Sequence, residues 1–225
     1  MDIRFLGHAC FELSDGDTTV LIDPFLSGNP KAAAEADDLN PTHIFLTHGH
    51  GDHYGDVVGI AKRTGAQVVA MVEIAGELEE EGVENVVNPN IGGTVEFDGG
   101  WVRMTPAWHS STTPKGTVNT PAGLVVNLGG KTVYHLGDTG LFSDLQLVKA
   151  RDNLDVALIP IGGHFTMDRH DAVTAADWVG ADTVIPCHYN TFPPIETDDQ
   201  AFKSDVESKT SSKVVILQPG ESHSV

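Results

Sequence analysis

The sequence predicts an α/β fold in which two mixed sheets pack face to face and helices cover their outer faces. Short apolar strands alternate with helical segments, and the second half repeats the strand-and-helix order of the first without a fixed sequence period. The 225 residues, 40% of them apolar, are enough for one large domain with a substantial core. No linker or low-complexity stretch divides them, so residues 1–225 are predicted to form a single domain.

The predicted elements follow from apolar runs that end at glycine, proline or acidic turns. In the first half, strands are expected at 2–6, 10–14, 18–23, 44–47, 67–71, 83–87, 94–97 and 101–106. Helices are expected at 55–64 and 74–81, ended by Gly65 and Gly82. In the second half, strands are expected at 124–128, 132–135, 156–160, 183–186 and 213–217, and helices at 141–148, 171–179 and 201–210.

Three histidines and an aspartate follow the predicted strand at 44–47, in the run Thr47-His48-Gly49-His50-Gly51-Asp52-His53. In an extended loop His48 and His50 point to one side, whereas Asp52 and His53 follow where the chain turns and can aim at a second point. Imidazole and carboxylate ligands suit divalent transition metals such as zinc, manganese or iron. The loop therefore predicts a metal site, with a solvated histidine-rich turn as the alternative.

Three later residues also stand directly after predicted strands: His109, Asp138 and His188. Together with the run His-x-His-x-Asp-His, this ordered set resembles the signature of the metallo-β-lactamase superfamily. The resemblance covers nearly the whole chain and implies a four-layer αββα sandwich.

The resemblance implies a site for two divalent cations. The implied ligands are His48, His50 and His109 for the first metal, Asp52, His53 and His188 for the second, and Asp138 as a bridge. A hydroxide that bridges the two metals would then be the nucleophile. Zinc is the first expectation, with manganese, iron or nickel as alternatives, because such ligands do not select one metal. Flavodiiron-type relatives place Glu where this chain has His50, so the histidine favours hydrolysis over oxygen or nitric oxide chemistry.

His8 lies in the run Leu6-Gly7-His8-Ala9-Cys10-Phe11. This motif resembles the branch that contains L-ascorbate 6-phosphate lactonase and a group of uncharacterised metal-dependent hydrolases. In that branch the N-terminal His lies near the metals, which implies substrate contact, proton transfer or ligation for His8. A buried structural histidine is the alternative.

Two further residues are candidates for the site. His164 follows two glycines after the strand at 156–160 and precedes a predicted helix, which favours a place in the substrate pocket over a turn-capping role. Asp52, His8 and His164 are the catalytic candidates. The resemblance implies that Asp23 is a buried group that orients the metal loop, with an Asx turn before Pro24 as the alternative.

Composition limits the partners. The net charge is −19 with only 13 basic residues, which disfavours a broad grip on nucleic acid or on an anionic membrane. Such an acidic field can also come from a salt-adapted host. The chain has no apolar run of membrane-spanning length and no signal-peptide pattern, so a cytoplasmic location is expected. Cys10 and Cys187 do not make a disulfide framework and are expected to be buried.

These observations predict a metal-dependent hydrolase that acts on a small ester, lactone or phosphoester. A phosphodiesterase for a small or lipid-like phosphate is the first alternative. A non-catalytic metal-binding regulatory protein is the second, although the complete ligand set argues against it. Relatives of this branch form oligomers, so the resemblance also allows a homo-oligomer.

Overall fold

A computed structural model describes residues 1–225 and contains fourteen strands. The first six are β1 (Asp2–Gly7), β2 (Cys10–Asp15), β3 (Thr18–Ile22), β4 (His43–Phe45), β5 (Gln67–Val69) and β6 (Val86–Val87). The others are β7 (Thr94–Phe97), β8 (Gly100–Pro106), β9 (Ala122–Leu128), β10 (Lys131–His135), β11 (Val156–Pro160), β12 (Thr183–Cys187), β13 (Lys213–Val214) and β14 (Ser222–Ser224).

The strands form two seven-stranded sheets with matching topology, in the orders β14-β1-β2-β3-β4-β5-β6 and β7-β8-β9-β10-β11-β12-β13. In each sheet the first four strands pair antiparallel and the last four pair parallel, and the fourth strand belongs to both runs. The predicted repetition of the two halves is therefore confirmed. Strand β14 was not predicted from the sequence; it pairs with β1 through Asp2 and Ser224 and completes the first sheet.

Six helices accompany the sheets: α1 (Gly51–Tyr54), α2 (Val57–Thr64), α3 (Val72–Glu80), α4 (Gln146–Arg151), α5 (Arg169–Val179) and α6 (Asp199–Lys209). Gly65 and Gly180 end α2 and α5 with φ of +73° and +61°, the left-handed conformation that glycine adopts without strain. The helix predicted at 141–148 is shifted, because Ser143–Leu145 form a 3₁₀ turn and α4 follows it. None of the helices combines the length and the apolar character needed to span a bilayer.

The core explains the layering. Along β11, Val156 and Leu158 belong to a core of 38 buried residues that both sheets share, whereas Ala157 and Ile159 belong to a second core of 20 residues with Ala172 and other residues of α5. Side chains alternate between the two faces of a strand, so the second sheet is covered by the first sheet on one side and by helices on the other. Helices α2 and α3 also contribute residues to the first core, and they cover the face of the first sheet that points away from the second sheet. The predicted αββα sandwich is confirmed.

The topology brings the candidate ligands to one end of the sandwich. His48 follows β4, His109 follows β8, Asp138 follows β10 and His188 follows β12. The carboxyl ends of parallel strands in one sheet lie at the same edge, where ligands of α/β proteins are commonly bound. The loops from both sheets meet there.

Candidate metal centre

The candidate ligands form adjacent groups whose donor atoms lie within 4.8 Å of one another. One group is His48, His50 and His109; the second is His8, Asp52, His53 and His188; a third, His48, His53 and Asp138, joins them. All seven ligands that the family resemblance implied are therefore brought together. Asp52 and His53 lie in α1, the single helical turn that starts at Gly51, and not in a loop before a helix.

Asp138 occupies the centre of this arrangement and is buried. Its Oδ1 lies 3.3 Å from His53 Nε2, and its Oδ2 lies 3.0 Å from His188 Nε2 and 3.6 Å from His109 Nε2. The carboxylate therefore faces rings of both groups. This is the position that a bridging carboxylate requires.

Asp23 fixes the orientation of two histidines from beneath the metal loop. The Thr47 hydroxyl donates to Asp23 Oδ2 at 2.6 Å, so its oxygen is left to accept from His48 Nδ1 at 3.0 Å. His53 Nδ1 lies 2.8 Å from the same Asp23 oxygen and donates to it. Nδ1 of both rings is thus held by a hydrogen bond, and Nε2 is directed toward the other candidate ligands.

His8 is buried against the second group. Its Nε2 lies 3.1 Å from Asp52 Oδ2 and its Nδ1 lies 2.9 Å from Thr191 Oγ1. Its backbone carbonyl accepts a hydrogen bond of 2.7 Å from the His188 amide. His8 therefore connects the N-terminal strand to Asp52 and to the loop that carries His188.

His164 lies on the loop that borders the centre, but its ring is exposed and belongs to none of the donor groups. The loop itself is close to the ligands, because Met167 N donates to Thr139 O at 3.0 Å. The ring of His164 contacts Phe165 edge to face. A role in substrate binding stays a prediction for His164.

The charges within the centre shift the pKa values of the rings in opposite directions. Burial lowers the pKa of His8 to about 4 and that of His48 well below its usual value. Burial acts the same way on His53 and His188, but Asp138 and the other carboxylates beside these rings together outweigh it, so the pKa of His53 is raised and that of His188 rises to about 9. The carboxylate that stabilises protonated imidazole here would also attract a cation.

The unpaired atoms of the centre fit a metal. Buried polar atoms almost always have a hydrogen-bond partner. His53 Nε2 and both ring nitrogens of His188 are buried without one. Imidazole nitrogen and carboxylate oxygen are ligands of divalent transition metals. The donor set is therefore suited to such ions.

Four hydroxyl residues that position the centre were missed by sequence reasoning. Besides Thr47 and Thr191, Ser111 Oγ accepts from Gly49 N at 2.9 Å and Thr139 Oγ1 accepts from Trp108 N at 2.9 Å. Thr47 and Thr139 adjoin ligands in sequence and could have been noticed. Ser111 and Thr191 have no local signal, because their partners lie 62 and 183 residues away.

Comparisons with known proteins support the fold and a metal-dependent chemistry. A family profile described as a beta-lactamase superfamily domain matches residues 2–188. A UPF0173 metal-dependent hydrolase of Natranaerobius thermophilus is 46% identical and covers 99% of this chain and 98% of its own. Its counterpart in Methanopyrus kandleri is 49% identical, with 99% of both chains covered.

Solved structures show the same fold. Igni18, a metallo hydrolase from Ignicoccus hospitalis, is 38% identical with a TM-score of 0.90 over 99% of this chain and 97% of that one. CmlA, a diiron β-hydroxylase from Streptomyces venezuelae, shares only the fold, at 17% identity and a TM-score of 0.80 over 100% of this chain and 54% of that one. The fold alone therefore does not decide the chemistry.

Proposed function

This chain belongs to the beta-lactamase superfamily and is a metal-dependent hydrolase, and from that premise we propose that it holds two divalent cations and cleaves a small ester, lactone or phosphoester. The observation that supports this most directly is Asp138, whose two oxygens face rings of both donor groups. A carboxylate in that position can be shared by two ions.

The proposed ligands are the residues of the donor groups other than His8. His48, His50 and His109 hold one ion, Asp52, His53 and His188 hold the other, and Asp138 bridges them. Zinc is the first expectation. When bound, two such cations lower the pKa of a shared water and stabilise negative charge that develops on the substrate.

The other residues of the chain prepare this centre. Asp23 and Thr47 hold the Nδ1 protons of His53 and His48, so that both rings present Nε2. His8, anchored by Thr191, holds Asp52 in place through Nε2. His164 lies on a loop beside the centre and is proposed to border the substrate. Because this chain has a net charge of −19, a small molecule is a more suitable substrate than nucleic acid.

The test compares Asp138→Ala with His170→Ala. Asp138 faces both donor groups, whereas His170 is exposed in the first turn of α5. We expect wild-type protein and His170→Ala to bind two equivalents of metal by elemental analysis, and Asp138→Ala to lose both metal and activity. Activity is measured on p-nitrophenyl esters, lactones and bis-phosphoesters.

Each other outcome has a distinct meaning. Equal metal content in wild type and Asp138→Ala would contradict the bridging role. Activity confined to bis-phosphoesters would identify a phosphodiesterase. Two bound metals with no turnover of any class would favour a metal-binding protein without this catalysis.

A further inference from the structure

Large apolar side chains are exposed on the loops around the centre. Trp108 is 71% exposed and Val118 is 73% exposed, and Phe165 is 53% exposed. Only two other large apolar side chains are exposed, Val72 and Leu147. Single exposed apolar residues are common on any protein surface. Here, however, three of five occur on loops that carry or border the candidate ligands.

Two of these side chains share a cavity with a candidate metal ligand. A cleft of about 550 Å³ is lined by Trp108, Val118 and His109. The rest of its lining is neutral: Ala107, Ser110, Ser111, Thr112, Asn119, Thr120 and Pro121. No Asp, Glu, Lys or Arg side chain lines this cleft. It therefore offers an apolar wall and neutral hydrogen-bonding groups to a molecule that reaches the metals past His109.

The apolar wall is held in a fixed position. Trp108 N donates to Thr139 Oγ1, and Gly140 N donates to Trp108 O at 3.0 Å, so this loop is tied to the segment that follows Asp138. The segment with Val118 is closed by a bridge between Thr112 and Val118. A wall that is already ordered loses little conformational entropy when a ligand binds.

The loop with Phe165 is tied to the same residue from the other side. Met167 N donates to Thr139 O, while the Thr139 side chain accepts from Trp108. Thr139 is fully buried directly after Asp138. Both loops with exposed aromatic residues are therefore anchored at one residue beside the proposed bridging ligand.

We propose that the substrate is an uncharged ester or lactone with an apolar substituent, an aryl ring or a medium-length alkyl chain, which binds against Trp108 and Val118. This deepens the proposed function and rests on it. The neutral lining argues against a substrate whose leaving or acyl group carries a phosphate charge, because the cleft contains no Lys or Arg to compensate that charge.

A second cavity beside the centre differs from this cleft in that charged side chains contribute to its lining. It measures about 180 Å³ and is lined by His8, Lys31 and Asp199 among others. A charged substrate would be expected to prefer this cavity and to depend on Lys31. The two cavities therefore predict different substrates and different sensitive residues.

The experiment measures kcat/KM for p-nitrophenyl acetate, butanoate and octanoate with metal-loaded protein. Burying a methylene group is worth at most about a fourfold gain, so kcat/KM should rise by about two- to fourfold per methylene until the cleft is filled. In Trp108→Ala and Val118→Ser, kcat/KM should depend less on the length of the acyl chain. Leu147→Ala, which removes an equally apolar exposed side chain in α4, should leave it unchanged.

A binding measurement separates this inference from the proposed function. The protein is titrated with octanamide, an uncharged alkyl amide, and binding is followed by tryptophan fluorescence. Acetamide, which lacks the long alkyl chain, is the control. We expect saturable quenching in wild type and in Trp178→Phe, and none in Trp108→Phe. If octanamide binds in this way but no substrate class is turned over, the proposed function fails while the apolar site stands.

Three results would overturn the inference. The first is a kcat/KM that does not depend on the length of the ester's acyl chain, combined with the absence of octanamide binding. The second is a preference for phosphate-bearing esters that is lost in Lys31→Ala. The third is an oligomer, seen by gel filtration, that Trp108→Ala dissociates without changing the chain-length dependence. In that case these side chains belong to an interface between copies.

Discussion

Backbone strain is concentrated at the residues of the centre. Only five residues other than glycine have positive φ: His8, Asp23, His164, His188 and Asn190. Each costs of the order of 1–3 kcal/mol in an unsupported chain. Three of them belong to the donor groups or orient their rings, and the other two lie on adjoining loops. The strain is tolerated at His8 and Asp23 because their side chains are hydrogen-bonded, and at His188 because its backbone amide donates to the carbonyl of His8.

Asp23 provides the first test at this scale. In Asp23→Asn the amide nitrogen cannot accept a hydrogen bond, so either Thr47 Oγ1 and His53 Nδ1 both lose their shared acceptor or Thr47 N loses its own. We expect metal affinity to fall by about 10- to 100-fold, the usual effect of losing such a supporting contact. Competition with a chelator measures it.

Asp17→Asn is the matched control for Asp23→Asn. Asp17 is an exposed turn residue, so its variant should bind metal like wild type. Unchanged affinity in Asp23→Asn would show that the loop orients its histidines without this carboxylate.

The residues that the sequence identified are those whose chemistry is unusual for their position. The ordered His and Asp residues after strands predicted the donor groups through their resemblance to the metallo-β-lactamase signature. Ser111 and Thr191 could not be found in this way. A hydroxyl is common on any loop, and only the folded chain shows that these two face Gly49 and His8.

At the scale of the elements, the ligand loops depend on close backbone contacts. A Cβ atom added at Gly162 would lie 2.3 Å from the carbonyl oxygen of His188, too close for any side chain. Gly162 directly follows the β11 region and lets this loop pack on the loop after β12. The glycine therefore sets the position of a proposed metal ligand without contacting the metal.

Gly162→Ala should displace His188. We expect a loss of about 1–3 kcal/mol in unfolding free energy, as for other overpacked sites, together with weaker metal binding. Urea unfolding of metal-free protein measures the first, and chelator competition measures the second.

Gly59→Ala is the control, because Gly59 is exposed within α2 and an added Cβ there has open space. It should stabilise the protein by about 0.5–1 kcal/mol and leave metal binding unchanged. Wild-type metal affinity in Gly162→Ala would show that His188 does not depend on this contact.

Helices and strands were predicted correctly where the hydrophobic periodicity and the turn residues indicate the same element. They were missed where tertiary contacts determine the secondary structure. The helix expected at 171–179 is α5, and its signals are local: Gly180 ends it, and the Asp168 side chain accepts from the amides of His170 and Asp171. Strand β14 has only three residues, Ser222–Ser224, with no apolar alternation. It is a strand because β1 offers an open edge for it.

At the scale of the whole molecule, the two sheets are equivalent in topology but not in their contribution to the centre. The first sheet supplies His8, Asp23 and the metal loop, and the second supplies His109, Asp138 and His188. Neither half contains both donor groups. The centre therefore depends on the packing of the two sheets, and the shared core between them is what holds the groups together.

The net charge opposes the packing of the two sheets. With 32 acidic and 13 basic residues, like charges repel one another across the folded surface and favour the more expanded unfolded chain. Salt shortens the range of this repulsion, because the Debye length falls from about 10 Å at 0.1 M to about 3 Å at 1 M. We therefore expect Tm to rise between 0.1 and 1 M NaCl, with choline chloride giving the same trend by differential scanning calorimetry.

A matched pair of variants separates screening from other effects of salt. Glu80→Lys replaces an exposed acid in the last turn of α3 and moves the net charge from −19 to −17, whereas Lys213→Glu replaces an exposed base and moves it from −19 to −21. The dependence of Tm on salt should be shallower in the first variant and steeper in the second. Glu80→Lys should also gain about 0.3–1 kcal/mol at low salt, since a cation suits a helix C-terminus. A Tm that falls with salt, or two variants with the same salt dependence, would mean that charge repulsion does not limit the stability of this fold.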